Sequence, residues 1–124
     1  MFSNLTAVAT LPAANIERAK KYYYDKLGLT PDLVQPDGGV LYQCKDSAFL
    51  VYQSQYAGTA KNTAVGFQTD NIEREMRDLR SRGVVFEEYD MPGLKTVHGM
   101  ATMGNVKAAW FKDSEGNILA VNQM

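Results

Sequence analysis

Only one side chain in these 124 residues, His98, has an ordinary pKa near neutrality and so suits proton transfer at physiological pH. A catalytic imidazole usually has an orienting carboxylate; Glu87, Glu88 and Asp90 are close in sequence, but the sequence does not fix which way they face and identifies none of them as that partner. The competing reading places His98, which is followed by Gly99, in a loop or on a pocket rim. Cys44 adjoins Lys45, a neighbour that lowers a thiol pKa, but strand parity sends Cys44 toward a helix, opposite Gln43, as a buried inert thiol. Trp110 is either a stacking platform for a flat ligand or core packing. Gln43 and Gln53 carry amides that orient a ligand or pair with each other across a sheet. With one histidine and one cysteine, neither an internal disulfide nor a His/Cys metal cluster can form within one chain.

The elements that position these residues read as one unit written twice. Thr6–Leu11 is β-branched and apolar and ends at Pro12, so it predicts a strand. Asn15-Ile-Glu-Arg opens a helix whose apolar stripe is Ile16, Ala19, Tyr23 and Leu27, and Gly28 is placed to end it. An extended piece at 33–35, a turn at 36–39 and a hairpin turning at Lys45-Asp46-Ser47 follow, then a polar linker over 54–62. The second copy repeats Thr-Ala-Val at 63–65, Asn-Ile-Glu-Arg at 71–74 and Lys-Asp-Ser at 112–114, in the same order. Asp70 with Glu73 predicts a capping-box start, Ile72, Met76 and Leu79 a buried stripe, and Gly83 the helix end. Val84–Tyr89 reads as a strand, and Met91–Gly104 has no counterpart in the first half. The closing run, Ala108 to Gln123, is a hairpin around the polar turn Lys112–Asn117. The expected architecture is therefore α+β, with two tandem βαβββ modules, 1–56 and 61–124, in one domain.

Thirteen Lys and Arg against fourteen Asp and Glu give a net charge of −1, with no basic cluster to suit nucleic acid. No apolar run approaches the roughly 20 residues needed to cross a bilayer. Without a basic segment ahead of the N-terminal apolar residues, and with a lone cysteine, a cytoplasmic location is expected.

The stretch Asn15–Gly28, with its run of tyrosines before Leu27-Gly28, and the ending Phe111-Lys-Asp-Ser-Glu-Gly-Asn-Ile-Leu119 resemble the vicinal oxygen chelate superfamily. That group includes glyoxalase I, bleomycin-resistance and fosfomycin-resistance proteins, and extradiol dioxygenases. The resemblance covers essentially the whole chain and implies a curved half-barrel sheet around a cavity, commonly in a homodimer. Metal-dependent members use His, Gln or Glu from four strands, and the matching positions here are Ala7, Ala64, Val51 and Ala120. A one-residue slip gives Val8, Tyr52, Thr63 and Val121. None of the first four has a lone pair to donate, and the slipped set is no better, so no metal or other cofactor is expected.

Taking those positions as inward, Phe49, Val51 and Gln53 line one strand, Ile118, Ala120 and Asn122 another, with Leu41, Gln43, Ala108 and Trp110 facing them. His98, Met100 and Thr102 share a parity in the extra segment, which is expected to form a strand or lid beside Trp110. The result is an apolar pocket with an aromatic wall, suited to a small, largely uncharged organic ligand. Two functions follow from the resemblance. The first is a metal-free binding protein; the second is a metal-independent lyase or isomerase with His98 as acid–base.

Overall fold

In a computed structural model describing residues 1–124, a short 3₁₀ turn at Phe2–Asn4 precedes ten strands and two helices. The first half contains β1 (Ala9–Ala13), α1 (Ile16–Leu27), β2 (Leu33–Val34), β3 (Val40–Cys44) and β4 (Ser47–Gln53). The second contains β5 (Thr63–Gln68), α2 (Ile72–Ser81), β6 (Asp90–Met91), β7 (Leu94–Val97), β8 (Met100–Met103), β9 (Val106–Lys112) and β10 (Ile118–Gln123). The strands form two open sheets, ordered β1-β4-β3-β2 and β5-β10-β9-β8-β7-β6. Each opening strand runs parallel to the return strand of its own hairpin, β1 beside β4 and β5 beside β10. That is the βαβββ unit, present twice in an α+β chain. With β1 and β5 as neighbouring edges, the sheets make a curved half-barrel carrying both helices on its outer side.

The repeated Asn-Ile-Glu-Arg string is a capping signal. Asn15 Oδ1 accepts from the Arg18 amide at 3.0 Å, and Asn71 Oδ1 from the Arg74 amide at 3.1 Å. The expected Asp70–Glu73 box does not form. Asp70 pairs with the Arg74 side chain and Glu73 with Lys107, because Asn71 already satisfies the first-turn amide. Both helices end as their glycines require: the Leu29 amide reaches back to Tyr23 and the Val84 amide to Leu79, each at 3.0 Å across a left-handed glycine.

One core lies between the sheets and the helices. Tyr23 of α1 packs its ring on Tyr42 and Phe49, at 5.3 and 5.6 Å between centroids, with Leu11 and Val51 buried beside them. Under α2 the corresponding layer is Phe111, Leu119, Ala109 and Val121, with Phe86 edge-on to Phe111. The Phe49 ring meets Phe67 at 5.8 Å, which joins the two layers.

The closing turn, polar in sequence, is buried. Asp113 accepts from the Tyr23 hydroxyl at 2.5 Å, from the backbone amides of Glu115 and Asn117, and from the Asn117 side chain. Asn117 also donates to the Pro12 carbonyl of β1. Glu115 receives the Arg18 guanidinium at 2.8 and 3.0 Å, the Asn15 amide and the Ser114 hydroxyl. These bonds, led by those from Arg18, hold its carboxyl at about 2 despite the opposing effect of burial. The loop between β9 and β10 thus clamps the N-terminus of the module-one helix.

Two local expectations change. Val84–Tyr89 is not a ladder strand. It runs on isolated bonds, Glu87 N to Trp110 O and Thr96 N to Tyr89 O, along β9 beyond the stretch that β8 pairs. The two Lys-Asp-Ser turns are not equivalent either. Lys45-Asp46 is a tight turn with Lys45 at φ 49°, whereas the second spans the clamp just described.

Candidate functional site

Strand register separates the inner face of the half-barrel from the outer. In module two, Phe111, Ala109, Leu119 and Val121 turn outward to α2, so their alternating neighbours turn inward. One inward row runs Gln68–Asn122–Ala108–Ala101–Thr96 across five strands, and the next runs Gly66–Ala120–Trp110. The floor is therefore glycine and alanine. Gly66 fits because a Cβ there would lie only 3.1 Å from Asn122 Nδ2, and the Asn122 amide oxygen is buried with no hydrogen-bond partner. The wall is aromatic: the half-buried Trp110 indole donates to the Thr63 hydroxyl at 3.2 Å and meets the Tyr89 ring edge-on at 5.6 Å. A separate cavity of about 240 Å³, which neither Trp110 nor the floor lines, lies at the seam of the two modules among Thr10, Pro12, Tyr56, Asn62, Thr63 and Ile118.

Sequence parity places Trp110, Ala108, Ala120 and Asn122 on this face as the structure does. It fails on β4. Phe49 and Val51 point outward into the core against α1, and the inward positions are Ala48, Leu50 and Tyr52. On β3 the inward residues are Leu41 and Gln43, paired with Leu50 and Ala48. Gln43 and Gln53 do not pair with each other. Gln43 donates to the Lys45 carbonyl in its own turn, and Gln53 to the Ala14 carbonyl before α1. Cys44 lines a cavity of about 260 Å³ between the helices, and burial raises its thiol pKa.

The extra segment forms the β7–β8 hairpin. It turns Thr96 and Ala101 inward, and His98, Met100 and Thr102 outward toward α2, so these three do not flank Trp110. His98 sits at φ 53° in the turn with Gly99, whose missing Cβ leaves room for Phe86 at 2.8 Å and Arg80 at 3.1 Å. The His98 side chain is exposed and makes no hydrogen bond. Glu88 spends a carboxylate oxygen on the Gly99 amide at 2.7 Å, and Glu87 pairs with Lys112. Hydrogen bonds, foremost from Thr96, lower the Glu88 pKa.

The four positions tied to a divalent ion by resemblance do not converge as donors. Ala7 precedes β1, Val51 lies in the outer core, Ala64 is the bulged residue of β5, and Ala120 is a methyl on the inner floor. Nowhere do three His, Cys, Asp or Glu side chains group in a way that could hold an ion, so the residues present do not fit that metal. Tyr89 and Gly66 join the site beyond the residues expected from sequence. A glycine inside a strand is itself a signal of close approach, whereas nothing in the sequence marks Tyr89.

No family model matches the sequence, and no curated protein matches it. Solved structures do. A glyoxalase/bleomycin resistance protein from Catenulispora acidiphila is 16% identical, with a TM-score of 0.73, covering 98% of this chain and 99% of its own. A lactoylglutathione lyase from Agrobacterium tumefaciens is 17% identical, with a TM-score of 0.71 and coverages of 97% and 93%. TnmS3, an antibiotic binding protein from Streptomyces sp. CB03234, is 20% identical, with a TM-score of 0.63 and 97% of each chain covered. The chain therefore has the fold of the vicinal oxygen chelate superfamily, the glyoxalase and bleomycin-resistance architecture.

Proposed function

We propose that this chain is a metal-independent small-molecule binding protein. Its ligand is a small, largely apolar or aromatic compound seated on the inner face of the second sheet. The observation that carries this reading is the floor of Gly66, Ala108, Ala120 and Ala101 around the unpartnered Asn122 oxygen, with Trp110 and Tyr89 as its wall. Ala101, Ala108 and Ala120 are covered and the Asn122 oxygen is sealed, so the ligand enters by displacing the side chains over this low floor; the indole then stacks on its ring and the amide oxygen accepts one hydrogen bond that fixes its orientation. A donor such as a phenol or an amide N–H is the complementary group. Antibiotic binding by TnmS3, on the same fold, is in line with such a role.

A second copy of the chain closing the open side of the half-barrel belongs to this proposal. Leu33, Val8 and Tyr52 stand exposed on the inner side of the first sheet, apolar surface that a homodimer would cover. The lyase or isomerase reading gains no support, since His98 is exposed on the outer side without a carboxylate partner. Titration of Trp110 fluorescence with 1-naphthol, a flat apolar donor, tests the proposal. Saturable quenching that also protects the Tyr89 ring signals in proton spectra supports it; quenching without saturation refutes it.

A further inference from the structure

We propose that the groove on the outer side of module two, between α2 and the β7–β8 hairpin, is a second ligand site, for an amphipathic organic anion. The hairpin belongs to the segment that module one lacks, so module one has no such groove. Its volume is about 760 Å³. Arg77 extends from the helix wall and Lys95 from the hairpin wall, and neither enters any ion pair or side-chain hydrogen bond. Arg80 is held in place between them, donating to the His98 carbonyl at 2.6 Å and lying over the Phe86 ring at 5.1 Å. The one acid on the wall, Glu73, is already paired with Lys107 at 3.0 Å. Between the cations the surface is apolar: Met76 and Met100 form the floor, and Val97 is 61% exposed.

A chain with a net charge of −1 thus places three cations at one groove, Arg77 and Lys95 among them without an ion pair, around flexible thioether side chains that adapt to an irregular tail. An arginine fork binds a carboxylate through two parallel N–H donors, and the lysine adds a point charge. The ligand class that fits is a carboxylate carrying a short aliphatic or aryl body. The groove lies across the sheet from Trp110 and is independent of the inner-face site.

Octanoate followed by amide shifts in ¹H–¹⁵N spectra is the direct test, with 1-octanol, octyltrimethylammonium and inorganic phosphate as controls. Octanoate should give saturable shifts confined to Met76–Arg80 and Leu94–Met100. Affinity should fall about tenfold or more in Arg77→Gln/Lys95→Gln, since both charge-assisted contacts to the carboxylate are lost. Trp110→Ala should leave it unchanged. Both substituted positions are exposed, so shifts elsewhere in the spectrum report whether the fold is intact. The proposal is overturned if octanoate does not saturate, if octanol or octyltrimethylammonium binds as tightly, if phosphate alone does as well, or if the double variant binds unchanged.

Discussion

The inner faces of the two modules share one backbone plan and carry opposite side chains. In module one the row Thr10–Leu50–Leu41–Leu33 crosses four strands with bulky aliphatics, and Tyr52 stands beside it. In module two the equivalent surface is Gly66, Ala120, Ala108 and Ala101, with one indole and one amide. Outer faces do not diverge this way, because each must fill the space beneath its own helix with aromatic and branched side chains. Duplication of a fold fixes the packed side of a sheet and frees the other. Here the freed side carries bulky aliphatics in one copy and glycine and alanine in the other.

The largest effect expected on this contrast comes from the packed side. Phe49→Ala should cost about 3–5 kcal/mol in denaturant unfolding, as a buried phenyl stacked on Tyr42 is lost. A small cost there would mean that β4 turns Phe49 to the inner face after all. Next is the clamp joining the modules. Glu115→Gln should destabilise by about 1–3 kcal/mol, the lower end being favoured because Arg18 is half exposed. The Glu115 pKa is depressed in the folded state, so its contribution is complete above about 4.5 and is lost as pH falls toward about 2. Unfolding midpoints measured between pH 5 and pH 2 should therefore decline less steeply for the variant. An identical decline would remove Glu115 from the account.

On the glycine–alanine floor, Ala120→Leu should abolish 1-naphthol binding and cost about 1–3 kcal/mol of stability, since it adds bulk at a covered position. Leu50→Ala, its counterpart across the seam, should leave the affinity within about twofold, well under the 1.4 kcal/mol of a tenfold change. The smallest effect belongs to Tyr42, whose hydroxyl is buried without a partner. Tyr42→Phe should be neutral or stabilising by up to about 1 kcal/mol in thermal unfolding, and a clear loss would point to a partner the hydroxyl makes in solution.

Much of this contrast is legible in the sequence because one face of most elements is distinctly polar or small. The helix stripes and the capping asparagines are readable that way, whereas the parity of Ala108-Ala109-Trp110-Phe111, apolar on both sides, comes from the resemblance and the turn phasing. β4 is not legible either. Ala48-Phe-Leu-Val-Tyr52 is apolar on both sides, so nothing in the alternation says which set turns inward, and a register inferred from resemblance put Phe49 and Val51 on the wrong face. The β7–β8 hairpin had no first-half counterpart to fix its phase, which is why His98 and Met100 were expected beside Trp110. The burial of Asp113, Glu115 and Asn117 was hidden for a different reason. Their partners, Tyr23, Arg18 and Pro12, lie about a hundred residues away in the chain, and a polar string of that kind ordinarily marks solvent-exposed loop.

The central claim is that the glycine–alanine floor of module two holds the ligand, and amide shift mapping with 1-naphthol tests it most directly. Saturable shifts are expected at Gly66, Ala108, Ala120 and Asn122, with the Trp110 indole N–H moving in step. Shifts centred instead on Leu33, Leu41 and Leu50, or on His98 and Met100 across the sheet, would contradict it.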